Sequence, residues 1–336
     1  MKNPTLPGGR GVRIAGTGSY VPPGTLTNDD LAKMVDTSDE WITQRTGIKS
    51  RHICDPSKEG HFMMAKTALG RAVDDSGIDP STIDALIVGT VTSEMSCPST
   101  SARLTAEIGA TPAAAFDVAA ACCGFVYSLN LADSLIRLGR ADRIGIVGVD
   151  HMSSILDYDD RACSILFGDA AGAAILEATD DPGQGSIYQT MHADGRGWGS
   201  LYIPRLERDL VEGDKVEDMK LGCLRMNGRE VYKFAVTKFQ RSIKQALDTL
   251  GFQPDDIGSY ICHQSNARII ESAVEKLGLP PERVYINIDR YGNTSAGSVG
   301  LCLDEMRRND NLDESKPTLL VAFGGGMTWA SSVWNW

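Results

Sequence analysis

Gly77-Ile-Asp-Pro-Ser-Thr-Ile-Asp-Ala-Leu-Ile87 and Gly251-Phe-Gln-Pro-Asp-Asp-Ile-Gly-Ser-Tyr-Ile261 follow one pattern: Gly, apolar, any residue, Pro, two polar residues, Ile. They stand 174 positions apart in a chain of 336 residues, about half its length. The same offset carries the apolar run at 144–149 onto 318–323, which is again apolar. In each half a segment of helical period, 64–76 and 234–250, precedes the Gly/Pro turn, and a run suited to a buried strand follows. A repeat of this size sets the architecture before any single motif does. It predicts two similar α/β halves, 1–180 and 181–336, packed around shared sheets with helices between them. No low-complexity linker separates them, so one core is expected.

Composition narrows the function classes. Apolar residues at 42% and charged residues at 23% suit a folded chain and exclude disorder. The 33 Lys and Arg against 44 Asp and Glu leave a net charge of −11, the wrong sign for a nucleic-acid footprint. No run approaches the ~18 apolar residues of a membrane span, and the Met-Lys-Asn-Pro opening lacks the apolar core of a signal peptide. A cytoplasmic protein with no membrane association is expected. The eight cysteines (Cys54, Cys97, Cys122, Cys123, Cys163, Cys223, Cys262 and Cys302) contain no Cys-x-x-Cys pair. With no His-Glu-x-x-His or EF-hand spacing either, no metal site is expected. Gly16-Thr-Gly18 meets Val21-Pro-Pro-Gly24 where a dinucleotide-binding helix should open. Gly324-Gly-Gly326 lacks the Gly-Lys-Ser/Thr of a phosphate loop. Helices are expected at 29–35 and 38–45, and a solvated, charge-dense loop at 207–220.

The window Asp117-Val-Ala-Ala-Ala-Cys122-Cys-Gly-Phe-Val-Tyr delivers a thiol through a turn of small residues to the start of an apolar helix. Free N–H groups and the helix dipole at such a start favour thiolate, lowering a thiol pKa from about 8.5. Two cysteines packing inside a helix would read the same way. His263 follows a buried strand, where α/β folds present functional groups, although a structural histidine fits there too. Asn293 lies in the turn Tyr291-Gly-Asn293-Thr-Ser-Ala-Gly, which echoes the cysteine turn, with Asp289 answering Asp117. It also suits a bare helix cap. The repeat predicts that the two helix starts converge across a pseudo-twofold axis.

Gly16-Thr-Gly-Ser-Tyr20, Asp36-Thr-Ser-Asp-Glu-Trp-Ile42, Arg45-Thr-Gly-Ile48, residues 117–125, Phe167-Gly-Asp169, His263-Gln264, Gly292-Asn-Thr-Ser-Ala296 and Phe323-Gly-Gly-Gly326 come in an order that resembles one family. From about residue 13 to 336 the chain resembles β-ketoacyl-[acyl-carrier-protein] synthase III, the initiating condensing enzymes of bacterial type II fatty-acid synthesis. The resemblance implies the thiolase fold, two α/β halves related by a pseudo-twofold axis in αβαβα layers. It implies a catalytic triad of Cys122, His263 and Asn293, with Cys122 taking an acyl group from acyl-CoA. Malonyl-[acyl-carrier protein] would then lose carbon dioxide and condense. The backbone N–H groups of Cys122 and Gly325 would form the oxyanion hole. No cofactor is implied, since the coenzyme A thioester is a substrate.

The same resemblance makes Trp41 and Arg45 the pair that sandwiches adenine, Arg161 a second CoA contact and Asn266 a pantetheine contact. Arg229 stands where well-known members carry Asn. Arg268 matches a carrier-docking arginine. Lys238, Arg241 and Lys244 recur every three residues opposite Ala235, Phe239, Ile243 and Leu247, with Lys233 extending the basic face. Such a patch would offset repulsion between an acidic enzyme and an acidic carrier protein, although a solvated face has the same pattern. Cys97 replaces the Phe that, in acetyl-selective members, closes the acyl pocket across the dimer interface, which implies more room for the starter group. Cys123 replaces a common Ala, a packing substitution. A homodimer is the family's expectation. Two alternatives carry similar motifs: a condensing enzyme of secondary metabolism, and a noncatalytic acyl-CoA-binding subunit. A degradative thiolase would need a second catalytic cysteine, and neither Cys262 nor Cys302 lies in the glycine-rich loop.

Overall fold

The computed structural model of the chain describes residues 9–215 and 220–336. The opening tetrapeptide and residues 216–219 of the charge-dense stretch lie outside the described residues. Two five-stranded mixed sheets carry the molecule. The first runs Gly11–Tyr20, Ala170–Thr179, Arg143–Asp150, Ala85–Gly89 and Ala114–Val118 from edge to edge. The second runs Gly185–Ala193, Thr328–Asn335, Thr318–Gly324, Ser259–Cys262 and Val284–Tyr285. Numbered along the chain, both sheets have the order first, fifth, fourth, second, third, so the repeat in sequence is a repeat in topology.

The central strands are buried along their whole length, as in Ala85–Gly89 and Thr318–Gly324. A strand covered on both faces must be apolar throughout, which explains the unbroken runs. Helices Gly124–Arg137 and Gly297–Arg308 lie between the sheets and touch strands of both. Helix His61–Ser76 covers the outer face of the first sheet. Gly228–Leu250 and Ala267–Leu277 cover that of the second. The layers are therefore αβαβα, the thiolase fold. One core cluster joins Phe125, Leu129 and Ile146 to Val299, Leu303, Leu320 and Trp334 across the halves.

The quoted repeat marks how each outer helix stops. Gly77 and Gly251 are C-caps with φ of 65° and 71°, a left-handed conformation that glycine adopts without a Cβ clash. Pro80 and Pro254 then open 3-10 turns that lead into the buried strands. The expected helices at 64–76 and 234–250 extend backwards to His61 and Gly228. That at 29–35 shortens to Asn28–Leu31, begun by a Thr27 capping box. The helix expected at 38–45 is Asp39–Thr46, capped by the Ser38 side chain on Trp41 N–H at 3.1 Å. Among the described residues of 207–220 the chain makes one 3-10 turn, Glu207–Asp209. Asp289 does not repeat the setting of Asp117. Asp117 ends a strand and accepts from the N–H groups of Thr100 and Ser101, whereas Asp289 sits in the short helix Ile288–Tyr291.

Candidate active site

Cys122 lies in the 3-10 turn Ala121–Cys123 that runs into helix Gly124–Arg137. Ala121 has φ of 47°, so the nucleophile turn is backbone-strained for a residue with a Cβ. The sulfur stands where two cavities meet. One, of about 90 Å³, is lined by His263, Asn293, Phe323 and Gly324. The other, of about 220 Å³, is lined by apolar side chains including Met152, Ile155, Ile203 and Leu224. Cys122, Phe167 and Leu201 line both.

The opposite half supplies the polar groups. His263 follows strand Ser259–Cys262, its N–H bonded to Val321 O at 2.8 Å and its ring edge-on to Phe323 at 5.4 Å. Gln264 secures this corner, accepting from Asn287 and Ile288 N–H and donating to Cys262 and Tyr285 carbonyls. Neither ring nitrogen of His263 has a partner among the described residues, although the side chain is buried. Asn293 is clamped by backbone bonds to Leu166 O at 2.8 Å and from Gly168 N–H at 3.0 Å. Its Oδ1 accepts from Ser295 N–H at 2.9 Å, which leaves the NH2 as its available donor. At the same turn Asp150, from the first half, accepts from Ala296 N–H at 3.1 Å. The two helix starts thus converge, each half contributing to one site.

The expected acidic thiol is reversed. Burial pushes the Cys122 thiol up to about 12, and the nearby Asp150 charge adds to the rise. The hydroxyl of Ser295, 3.4 Å from the sulfur, acts the other way but is the smaller influence. Desolvation of a thiolate in an apolar turn outweighs the helix start. Burial also drives His263 down to about 3, so its imidazole is neutral at physiological pH. Cys123 points into the core beside Phe125, also with a raised thiol.

Trp41 is flanked by two guanidinium groups, Arg45 at 4.5 Å and Arg161 at 4.9 Å from the ring centre. Arg161 also donates to Asp36 O at 2.6 Å. Asn266 lines the His263 cavity, but its Oδ1 caps helix Ala267–Leu277 and its Nδ2 donates to Arg45 O at 3.1 Å. Its side chain therefore links the cavity wall to the Trp41 helix. Gly325 lines the apolar cavity with Cys122.

Arg268, Arg229, Lys233, Arg241 and Lys244 are exposed on neighbouring helices, while Ala235, Phe239, Ile243 and Leu247 are buried. Lys244 is paired with Asp248 at 2.9 Å, and Lys238 rests over Trp329 at 3.9 Å. Cys97 is exposed and lines neither cavity of its own chain at Cys122; its neighbours Ser96 and Ser99 lie beside Phe116 of the edge strand Ala114–Val118, and the pocket role expected of Cys97 acts across a dimer interface. Sequence reading also missed the wall of the apolar cavity, whose residues come from separate segments with no shared motif. Ser295 carried one signal: it stands 174 positions after Ala121 and shares its conformation, with φ of 49°.

Cys54, His151 and Asp169 place ligand-type atoms within 4.8 Å of one another. Asp169 already accepts from Cys54 N–H, Ser153 N–H and Ser153 Oγ, and burial raises the Cys54 thiol. Both carboxylate oxygens of Asp169 are thus engaged in hydrogen bonds within the protein.

Paired sheets of one topology, with a buried cysteine facing a neutral imidazole and a carboxamide, define a condensing acyltransferase of the thiolase fold. The family model for 3-oxoacyl-[acyl-carrier-protein] synthase III matches residues 116–195, and that for its C-terminal part matches 247–336. A β-ketoacyl-[acyl-carrier-protein] synthase III of Caldanaerobacter subterraneus is 44% identical over 96% of this chain and 97% of its own. One from Clostridium acetobutylicum is 42% identical over 97% and 98%. The crystal structure of a 3-oxoacyl-[acyl-carrier-protein] synthase III from Aquifex aeolicus superposes with a TM-score of 0.89, at 37% identity, over 97% of this chain and 100% of that one. The chain belongs to the 3-oxoacyl-[acyl-carrier-protein] synthase III family.

Proposed function

We propose that this enzyme starts fatty-acid chains by joining an acyl group from acyl-CoA to malonyl-[acyl-carrier protein]. The observation that carries the reading is Cys122 at the junction of an apolar cavity and a cavity bearing the free donors of His263 and Asn293. Cys122 sulfur attacks the acyl thioester, the CoA sulfur leaves, and the thiol proton goes with it. The acyl chain occupies the apolar cavity, where branched or short starters meet Met152, Ile155 and Leu224. Malonyl thioester then loses carbon dioxide, and the electron pair of the broken bond becomes an enolate.

Neutral His263 and the Asn293 NH2 donate to that enolate oxygen. A charged imidazolium is not needed, which agrees with the depressed pKa of His263. The enolate carbon attacks the acyl carbonyl, whose oxyanion rests on the N–H groups of Cys122 and Gly325. Cys122 leaves as thiolate and regains a proton, releasing 3-oxoacyl-[acyl-carrier protein]. The adenine of CoA enters between Trp41 and Arg45 when that guanidinium lifts from the ring it covers, Arg161 gives a second CoA contact, and the carrier docks on the face bearing Arg268, Lys233, Lys238 and Arg241.

The enzyme acts in the cytoplasm as a homodimer. Strand Ala114–Val118 supports the dimer: it edges its sheet, and Phe116 on it is 39% exposed, an edge suited to pairing with a second copy. Among the described residues no helix is long and apolar enough to cross a membrane. Mass spectrometry after acetyl-CoA treatment tests the reading. Acetyl is expected on Cys122 and lost in Cys122→Ser. His263→Ala and Asn293→Ala should still acylate but release carbon dioxide about 10²–10³-fold more slowly. Normal decarboxylation in both would refute their role.

A further inference from the structure

Within that functional reading, we propose that Ser295 is a positioning residue that serves the two half-reactions through two different atoms. Its hydroxyl holds the Cys122 sulfur, and its backbone N–H orients the Asn293 carboxamide. The hydroxyl donates to Sγ at 3.4 Å, and the N–H donates to Asn293 Oδ1 at 2.9 Å. Ser295 is 2% exposed and lines the apolar cavity at the sulfur. Its φ of 49° is left-handed, a strained conformation for a residue with a Cβ that persists only where its surroundings enforce it.

The surroundings do enforce it. Ala296 N–H is held by Asp150, Gly297 N–H bonds to Thr294 O at 3.0 Å, and Asn293 is fastened to Leu166 and Gly168. A Cβ on Gly148 would stand 2.1 Å from Ala296 O, so the first sheet presses directly against this turn. The strain thus aims one hydroxyl across the interface between the halves at the reacting sulfur. The charged or titratable groups facing that sulfur are Asp150 from strand Arg143–Asp150, His263 across the cavity, and the neighbouring Cys123. Asp150 disfavours thiolate and His263 is neutral, so the Ser295 hydroxyl is the side-chain donor that favours it.

Because the two duties use different atoms, one substitution separates them. Ser295→Ala deletes the hydroxyl and keeps the N–H. Alanine tolerates the backbone, as Ala121 does at φ of 47° in the equivalent turn. Acylation of Cys122 by acetyl-CoA, followed by intact-protein mass spectrometry on the full chain, should slow about tenfold at pH 7. Its pH profile should move about one unit alkaline, so that raising the pH rescues the rate. Carbon dioxide release from malonyl carrier by enzyme acylated to completion beforehand should stay within about twofold. Ser295→Gly, which also relieves the strain, should lose acylation equally.

Unchanged acylation in both variants would overturn the proposal. So would an equal fall in the two half-reactions, which is what a structural role alone would produce. Absence of the acyl group from Cys122 in the unaltered enzyme would overturn the functional reading itself, a separable result.

Discussion

Gly324 ends a buried strand in extended backbone, where any residue could sit if space allowed. A Cβ built there would stand 2.7 Å from Cys122 N and 3.2 Å from both Ala121 Cβ and Cys122 Cβ. Ordinary contact begins near 3.4 Å, so Gly324→Ala forces a retreat of about 0.7 Å between the strand and the nucleophile turn. The atoms in the way are a backbone nitrogen and two Cβ atoms, whose positions the backbone fixes, and the turn is already strained at Ala121, so a side-chain rotation cannot absorb the shift. Overpacking of this kind costs about 1–3 kcal/mol of stability. A displacement approaching 1 Å at a reacting atom costs about 10²-fold in rate, or about 2.7 kcal/mol of barrier. The assay is acyl-Cys122 formation in single turnover beside calorimetric melting. Gly70→Ala is the control, since a Cβ there meets nothing within 4 Å and the residue is helical. It should gain about 0.5–1 kcal/mol and acylate normally. Acylation by Gly324→Ala at the unaltered rate would refute the reasoning that the glycine is there for the nucleophile.

Three further outcomes follow from the site. Unfolded chains protonate histidine near 6.5 while the fold keeps His263 neutral to about 3. Its contribution to stability is therefore complete above pH 6.5 and declines by about 1.4 kcal/mol per unit as pH falls toward 3. His263→Asn should melt with a shallower pH slope below 6.5. Trp41→Ala should raise KM for acetyl-CoA about 3–10-fold and leave the pantetheine thioester, which lacks adenine, unaffected. Arg268→Glu should raise KM for malonyl carrier at low salt, with the difference closing at high ionic strength and acyl-CoA transfer unchanged. Lys244→Glu should do less, because Lys244 is already paired with Asp248. Equal effects would argue against that ranking.

The sequence by itself determined the two-half architecture, because the repeat is written in local chemistry. Gly77 and Gly251 stop helices through their backbone freedom, Pro80 and Pro254 open turns, and the apolar runs demand burial on both faces. The triad of Cys122, His263 and Asn293 was legible only through the family resemblance carried by the long motifs, since a helix start or strand end alone suits a packing or capping residue equally well. Tertiary structure alone decided their electrical state. The helix start at Cys122 is local and visible, but the burial and the Asp150 charge that override it come from packed neighbours. The apolar cavity was invisible for the same reason: Met152, Leu201 and Leu224 meet only after three segments fold together. Cys97 depends on still more distant context: its loop lies near the sheet edge and away from the sulfur of its own chain, so any part in an acyl pocket would come from a second copy. Local sequence dictates where a chain turns and what it must bury. Desolvation, charge and cavity shape belong to groups far apart in sequence, and they exist only once the two halves close on each other.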